Sequence, residues 1–233
     1  MSTFLDALTE ALQLLITLDG DLLEIVWLTL RVSGMALFFA VVLGLPLGVW
    51  LGLVTRIPAQ GGLLPLIYTG MGLPPVVVGL FVYIFLSNQG VLGKLSWLFT
   101  PRAMIVAQVI IAWPLVVGLS LTAVRGVESE LIMQIRALGA TRWQVAWTVL
   151  QEARLGILAA VVAAFGGIIS EVGAVILVGG NIEGETRVLT TAIVLETRRG
   201  NFALALALGV ILLGLAFVTN WLVYRWQRGE LVR

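Results

Sequence analysis

The feature that most constrains this chain is a series of long segments without charged side chains. The hydrocarbon core of a bilayer is about 30 Å thick, so a helix that crosses it needs about 20 mostly apolar residues. Charge is absent from residues 32–55, 57–93, 103–124 and 200–224, and Glu171 is the one charge in residues 155–182. These segments predict five transmembrane helices, near residues 24–54, 61–86, 102–124, 154–179 and 203–226. The first is long enough to tilt or protrude.

The composition agrees with a membrane protein of the all-α class. Hydrophobic residues make up 60% of the chain and charged residues 12%, about half the roughly 25% of a soluble domain. The net charge of +1 gives no electrostatic case for nucleic acid. The chain has no Cys and no His, which excludes disulfides, His-based catalysis and the common zinc sites, so no metal site is predicted.

The N-terminal segment carries five acidic residues before the first basic one, Arg31, which is unlike a signal peptide. Its leucines at 5, 8, 12 and 15 have helical spacing, and two interpretations stay open: an interfacial amphipathic helix or a frayed terminus.

Basic residues cluster on one side of the five predicted helices, at Arg56, in the loop after the third helix and in the C-terminal tail. The positive-inside rule therefore predicts an external N-terminus and a cytoplasmic C-terminus. Arginines in residues 183–199 weaken this bias, although acidic residues accompany them.

The predicted cytoplasmic loop, residues 126–151, has a pattern of its own. Leu131, Ile135 and Leu138 have helical spacing, and Gly139 is a natural C-cap because glycine tolerates left-handed backbone. Thr141, with Gln144 three residues later, forms a capping-box pattern. The pattern predicts a short helix, a glycine turn and a second short helix.

Two tryptophans, Trp143 and Trp147, share one face of the second short helix. They could anchor the loop in a groove of a cytosolic partner, together with the arginines. They could equally mark the level of the lipid headgroups. The residues alone leave both interpretations open.

The loop sequence ALGATRWQVAWTVLQEA, residues 137–153, resembles the cytoplasmic EAA loop of ABC-importer permeases. Gly139 takes the position of the glycine of that family, and Val149 and Leu150 match the start of its Ile-x-Leu-Pro element. The chain departs from the family at both ends. Residues 133–135 are Met-Gln-Ile where the acidic triplet would be, and Gln151 and Glu152 replace Leu-Pro. The family's Glu contact with the ATPase is therefore not implied for Met133.

GLPLG at 44–48 also resembles a segment of ABC-importer permeases. Two further segments, LPPVVVGL at 73–80 and SEVGAVILVGGNIEGETRVLTTAI at 170–193, resemble permeases for tetrahedral oxyanions. The resemblance covers about residues 25–220, and the variant triplets are most similar to tungstate-uptake permeases. It implies a type I importer fold in one domain, residues 1–233, with a coupling loop near 126–151 and an outer loop near 181–202. The alternatives are a molybdate or sulfate permease and, outside this family, a secondary transporter or channel.

The resemblance also implies partners and a location. We expect a homodimer in the inner membrane of a prokaryote, cytosolic ABC ATPase subunits and an extracytoplasmic solute-binding protein. The chain has no G-x-x-x-x-G-K-[ST] motif, so it is not expected to be an enzyme, and ATP and Mg²⁺ should bind to the ATPase. The residues expected to couple to the ATPase are Arg136, Leu138, Gly139, Ala140, Thr141, Arg142 and Trp143.

Residues of a translocation path or gate are predicted in two places. Pro74 and Pro75 remove backbone donors inside the second predicted helix, which indicates either a path-lining break or a static kink. Glu171, with Ser170 and Gly173, is the other place. A membrane-embedded carboxylate is expected to have a partner, for which Arg31 and Arg102 are candidates, unless it is hydrated near the outer interface.

The outer loop supplies further polar groups. Asn181, Thr186, Arg187 and Thr190 could donate hydrogen bonds to a doubly charged oxyanion that has shed water. The alternative is a solvated loop with a face for docking a partner.

Overall fold

The structure is a computed structural model that describes residues 9, 11, 13, 20–54 and 62–231. The predicted N-terminal interfacial helix therefore lies almost entirely outside the described residues. From residue 20 onward the described chain forms nine α-helices and a 3₁₀ turn at Gly93–Leu95. The helices are α1 Gly20–Leu53, α2 Leu63–Met71, α3 Pro75–Leu86, α4 Pro101–Arg125, α5 Ser129–Ala137, α6 Arg142–Ile169, α7 Gly173–Gly179, α8 Leu189–Arg199 and α9 Phe202–Leu231.

Four of the described helices, α1, α4, α6 and α9, are long and apolar enough to cross a membrane. Helices α2 and α3 pass the same test together, although they meet at an angle of 101°, and they count as a fifth span if taken as one. This result confirms the predicted membrane fold. It corrects the fourth predicted span, near 154–179, because the helix there runs from Arg142 to Ile169 and the remainder forms the separate helix α7.

Helix α4 lies at the centre of the bundle and packs against α1, α2, α3, α6 and α7. Its contact with α1 follows a stripe of small side chains on α1. Thr29, Ser33, Ala36 and Ala40 are all buried, and Gly44, Gly48 and Gly52 continue the same face toward the end of the helix. Small side chains let two helices approach closely in a membrane, where the hydrophobic effect does not drive helices together.

The closest approach is at Gly48 and Gly52, which bear on α4. A Cβ atom built on Gly48 would lie 2.6 Å from the carbonyl oxygen of Val117, and one on Gly52 would lie 2.6 Å from the Val124 side chain. Both distances are shorter than real Cβ contacts. The GLPLG segment therefore serves helix packing.

The two ends of the bundle differ in structure. One end carries α5, the start of α6 and the end of α1, whose Leu53 and Val54 border Arg136 and Ala140; we call it the hairpin end. The opposite end carries α8, where the Thr29 hydroxyl of α1 accepts a hydrogen bond from the Leu189 N–H at 2.9 Å; we call it the far end.

We predict that Gly48→Val lowers the free energy of unfolding by about 1–3 kcal/mol, because overpacking would force α1 and α4 apart. Gly34→Val is the matched control in the same helix, since nothing lies within 4 Å of a Cβ at Gly34, and it should change stability by less than about 0.5 kcal/mol. Thermal unfolding of the purified subunits in detergent measures both. Equal melting temperatures for the two variants would contradict the packing argument.

Candidate functional site

The turn between α5 and α6 is built on Gly139. Its φ is +83°, in the left-handed region that glycine adopts without strain. The Gly139 N–H donates to the Arg136 carbonyl at 3.0 Å and the Ala140 N–H donates to the Ile135 carbonyl at 3.3 Å. These two bonds form a Schellman motif, which satisfies the last carbonyls of α5. The predicted C-cap is confirmed.

Helix α6 begins with the predicted capping box. The Gln144 N–H donates to Thr141 Oγ1 at 3.4 Å, and the Thr141 N–H donates to Gln144 Oε1 at 2.8 Å. The expectation of a separate second short helix is wrong, however. The box starts the 28-residue helix α6, which is about 42 Å long at 1.5 Å per residue. One unbroken helix therefore joins the turn to the interior of the bundle.

The inner face of this hairpin packs on the ends of α1 and α4. Val124, Val145 and Val149 are buried there, with Ile132 and Ile135 against them. The predicted stripe of Leu131, Ile135 and Leu138 is therefore wrong in part, because Leu138 points outward and is 88% exposed.

The outer face of the hairpin is apolar and basic. We define the docking face as six exposed residues: Met133, Arg136, Leu138, Arg142, Trp143 and Trp147. Trp143 is 86% exposed and Trp147 64% exposed. Such large exposed side chains, rimmed by charge, are typical of a protein interface.

The level of Trp143 relative to the membrane decides between the two interpretations of the tryptophans. The uncharged part of α6 starts after Arg154, and Trp143 lies eleven residues earlier in the same helix. If the helix runs along the membrane normal, this separation is about 16 Å, whereas each headgroup layer is about 5–8 Å thick. At that orientation Trp143 would lie beyond the headgroups, which favours contact with a protein.

The second candidate region is formed by two helix breaks that lie side by side. Residues 72–74 break α2 from α3, with Pro74 at the N-cap and Pro75 at the first position of α3. The Pro74–Pro75 pair is thus a helix start after a sharp bend, rather than an interior kink. Ser170, Glu171 and Val172 separate α6 from α7; we call these three residues the gate break.

Helices α3 and α7 bring the two breaks together. A Cβ on Gly79 would lie 2.6 Å from Ala174 Cα, and Gly173 packs on the Val76 side chain. The predicted path residues, Pro74, Pro75, Ser170, Glu171 and Gly173, therefore belong to one region of the structure. Beside them, α6 exposes a face of small residues, Ala163, Gly166 and Gly167, which continues to Ser170 and leaves room for a path or for close contact with another helix.

Glu171 has a backbone partner. Its Oε1 accepts a hydrogen bond from the Ala174 N–H at 3.0 Å, so the carboxylate stabilises the first turn of α7. Among the described residues, no ion pair joins it to Arg31 or Arg102, and the Arg102 guanidinium lies 6.0 Å from the centre of the Trp97 ring. The expected ionic partner is therefore replaced by a helix N-terminus.

The outer-loop hydroxyls are occupied. Thr186 is fully buried, donates to the Gly179 carbonyl at 2.6 Å and accepts from the Ile182 N–H. Thr190, 5% exposed, donates to the Glu171 carbonyl at 2.9 Å. The expectation of free hydroxyl donors is wrong for both residues, and a solvated loop does not describe them either.

The remaining outer-loop residues also bond within the loop. Arg187 pairs with Glu183 at 3.2 Å, and its side chain is only 14% exposed. Asn181 adopts left-handed backbone with φ +54°, and its amide donates weakly to the Thr191 carbonyl at 3.5 Å. The loop is therefore a folded element that ends in α8.

One polar residue at the gate break was missed by the sequence reasoning. Gln108, 3% exposed in the first half of α4, donates its amide N–H to the Ile168 carbonyl at 3.0 Å. A usable signal was present, since Gln108 is the one side-chain amide in the uncharged segment 103–124.

Comparisons with known proteins identify the class. Residues 44–229 match the family described as "Binding-protein-dependent transport system inner membrane component". The chain belongs to this family of ABC-transporter permeases, which are transport components and not enzymes. A solved structure of the MetNI methionine ABC transporter shares the fold, with a TM-score of 0.72 and 24% identity over 89% of this chain and 95% of that chain.

Three relatives narrow the class. The tungstate uptake system permease protein TupB of Peptoclostridium acidaminophilum is 38% identical over 97% of this chain and 99% of its own length. A probable anion ABC transporter permease protein of Haloferax volcanii is 44% identical over 88% of this chain and 90% of its own. The molybdenum transport system permease protein ModB of Escherichia coli K12 is more distant, at 31% identity over 87% and 92%. The predicted resemblance to oxyanion permeases is confirmed.

Proposed function

We propose that this chain is the membrane-spanning subunit of an ATP-driven importer for tungstate. The observation that carries the proposal is a near full-length match to a tungstate permease at 38% identity, against 31% for a molybdenum permease. The bent α2–α3 pair and the gate break support it, because helix breaks at membrane depth occur where they line a cavity or are buried in protein. Molybdate and sulfate, also tetrahedral dianions, are the alternative substrates.

The partners follow from the same proposal. A cytosolic ABC ATPase binds ATP and Mg²⁺, an extracytoplasmic solute-binding protein delivers the oxyanion, and a second copy of this chain completes the path. In a two-fold dimer the exposed small residues of α6, Gly166 and Gly167 among them, would face the partner subunit or the path on the axis.

The side chains of the docking face indicate which groups the ATPase should present to it. Leu138 and Trp143 project from the hairpin and can enter an apolar groove, while Arg136 and Arg142 beside them favour acidic residues at its rim. The groove proposed for this ATPase is therefore apolar with acidic edges. Because α6 is continuous from Arg142 to Ile169, closure of the ATPase pair would move the gate break with the hairpin.

The orientation proposed for the chain places the hairpin end in the cytoplasm of a prokaryote and the far end outside its inner membrane. The chain has no native cysteine, so Leu138→Cys and Glu185→Cys provide single exposed thiols at the two ends. We predict that a membrane-impermeant maleimide labels Glu185→Cys in intact spheroplasts and Leu138→Cys only after lysis. Labelling of both from one side would contradict this orientation.

The substrate is tested by reconstitution. The chain is placed in proteoliposomes together with its partner ATPase, with ATP inside and the partner solute-binding protein outside. We predict ATP-dependent uptake of tungstate that a tenfold excess of sulfate does not reduce. Uptake of molybdate or sulfate in preference to tungstate would assign the alternative, and absence of all three would reject the oxyanion importer.

The docking face is tested through its turn. Gly139→Val forces a β-branched residue into left-handed backbone, at a cost of about 1–2 kcal/mol or more, and it should misdirect Arg142 and Trp143. We predict normal amounts of subunit in the membrane and at least tenfold less co-purified ATPase, since loss of one anchor side chain can cost about 2 kcal/mol.

Gly139→Asn is the matched control, because asparagine tolerates left-handed backbone and a Cβ at this position meets nothing within 4 Å. It should retain the ATPase. If Gly139→Val also recruits the ATPase and supports uptake like the native chain, the hairpin is not the coupling element.

A further inference from the structure

The gate break leaves backbone groups inside the bundle without helical partners. Helix α6 ends at Ile169 and α7 begins at Gly173, so carbonyls near the end of α6 lose their usual donors four residues later. In a membrane these carbonyls cannot rely on bulk water. Their partners are therefore part of what fixes the position of the break.

Two carbonyls at the break, that of Ile168 in α6 and that of Glu171 in the break itself, accept hydrogen bonds from side chains in distant parts of the chain, and the Ile168 carbonyl also accepts from the Glu171 N–H at 3.3 Å. The Gln108 amide of α4 donates to the Ile168 carbonyl at 3.0 Å, and the Thr190 hydroxyl of α8 donates to the Glu171 carbonyl at 2.9 Å. Gln108 is 3% exposed and Thr190 5% exposed. The two acceptors lie on either side of Ser170 in the chain, and neither donor belongs to α6 or α7.

The two donors belong to different helices of the bundle. Gln108 lies in α4, the central helix of the bundle. Thr190 lies in the first turn of α8, which is bound to α1 at the far end by the neighbouring Leu189 N–H and the Thr29 hydroxyl. The gate break is therefore connected to the bundle core by one bond and to the far-end helix by the other.

We propose that Gln108 and Thr190 are positioning residues for transport: together they hold the gate break against α4 and α8, so that movement of α6 changes the geometry of the break. This inference rests on the proposed function and extends it, since it names residues that act through the gate and are not expected to touch the oxyanion. Neither residue contacts the hairpin in the described structure, and both lie away from the docking face.

The consequence is a specific kind of defect. Without either bond, α6 can still move with the ATPase, but the gate break is no longer held against α4 and α8 and can follow α6 without changing its geometry. The complex should assemble and hydrolyse ATP while fewer oxyanions cross per ATP. A residue that only stabilises the fold would instead lower hydrolysis and uptake together.

The test uses the whole complex in proteoliposomes, with tungstate as the probe. Gln108→Met removes the amide with little change in volume, and Thr190→Val removes the hydroxyl and keeps the branched shape. We expect each variant to hydrolyse ATP within twofold of the native complex and to transport at least tenfold less tungstate per ATP. Because both bonds act on one break, the double variant should lose far less than the product of the two single losses.

Matched controls come from the same helices. Ser120→Ala removes a buried hydroxyl of α4 that bonds only to Val116 and Val117 of its own helix. Thr197→Val removes a hydroxyl of α8 that bonds only to Ile193. Both should keep the native ratio of transport to hydrolysis. Thr190→Ser retains a hydroxyl at the same position and should restore most of the ratio lost in Thr190→Val.

An unchanged ratio in Gln108→Met and Thr190→Val would overturn the proposal, whether or not both rates fall in proportion. If Gln108→Met reduces the amount of complex, the Thr190→Val and Thr190→Ser pair decides the matter alone. A failure of the proposed function is distinguishable, because the native complex would then transport no tungstate before any variant is compared.

Discussion

A helix that stops inside a membrane must find hydrogen-bond partners for the backbone groups it leaves free, and the described structure meets this requirement at each break in its own way. At residues 72–74, Pro74 is the N-cap of α3 and Pro75 is its first residue. A backbone N–H at the first position of a helix has no partner within the helix, so a proline there costs no hydrogen bond. At the gate break it uses the Glu171 carboxylate for α7 and the Gln108 and Thr190 side chains for the carbonyls.

These solutions explain why the outer loop is folded. The Thr186 and Thr190 hydroxyls complete the backbone hydrogen bonding of the turn after α7 and of the gate break, so the loop is bound to the interior of the bundle. A hydroxyl used in this way is not available to an anion. The Thr186 and Thr190 hydroxyls therefore hold the loop and the gate break in place.

Helix α6 connects the docking face to the gate break. It starts at the capping box of Thr141 and Gln144 and continues without interruption to Ile169, so the docking face and the gate break are the two ends of one element. In the proposed function an ATPase binds at the first end and the transport path lies at the second. The geometry alone would not have named either.

Much of this could be predicted from the sequence, because the decisive signals were local. Uncharged segments marked the spans, and Gly139 with Thr141 and Gln144 marked the turn, since caps depend on residues within four positions. Three features could not be read in this way. The continuity of α6 through charged Glu152 and Arg154, the exposure of Leu138 and the bond from Gln108 to Ile168, 60 positions away, depend on tertiary packing that periodicity does not encode.

The central claim is that α6 carries motion from the docking face to the gate break as a rigid helix, and spin-label distances test it most directly. Because the chain has no native cysteine, labels can be placed at Trp147 and Ala163 within α6, or at Ala163 and Ile182 across the break, in dimers with one labelled subunit. Distances are compared between the ATP-free complex and the complex trapped with ATP. The account predicts that the distance from 147 to 163 stays constant, at about 24 Å between backbones, while the distance from 163 to 182 changes. A change within α6, or no change across the break during active transport, would contradict it.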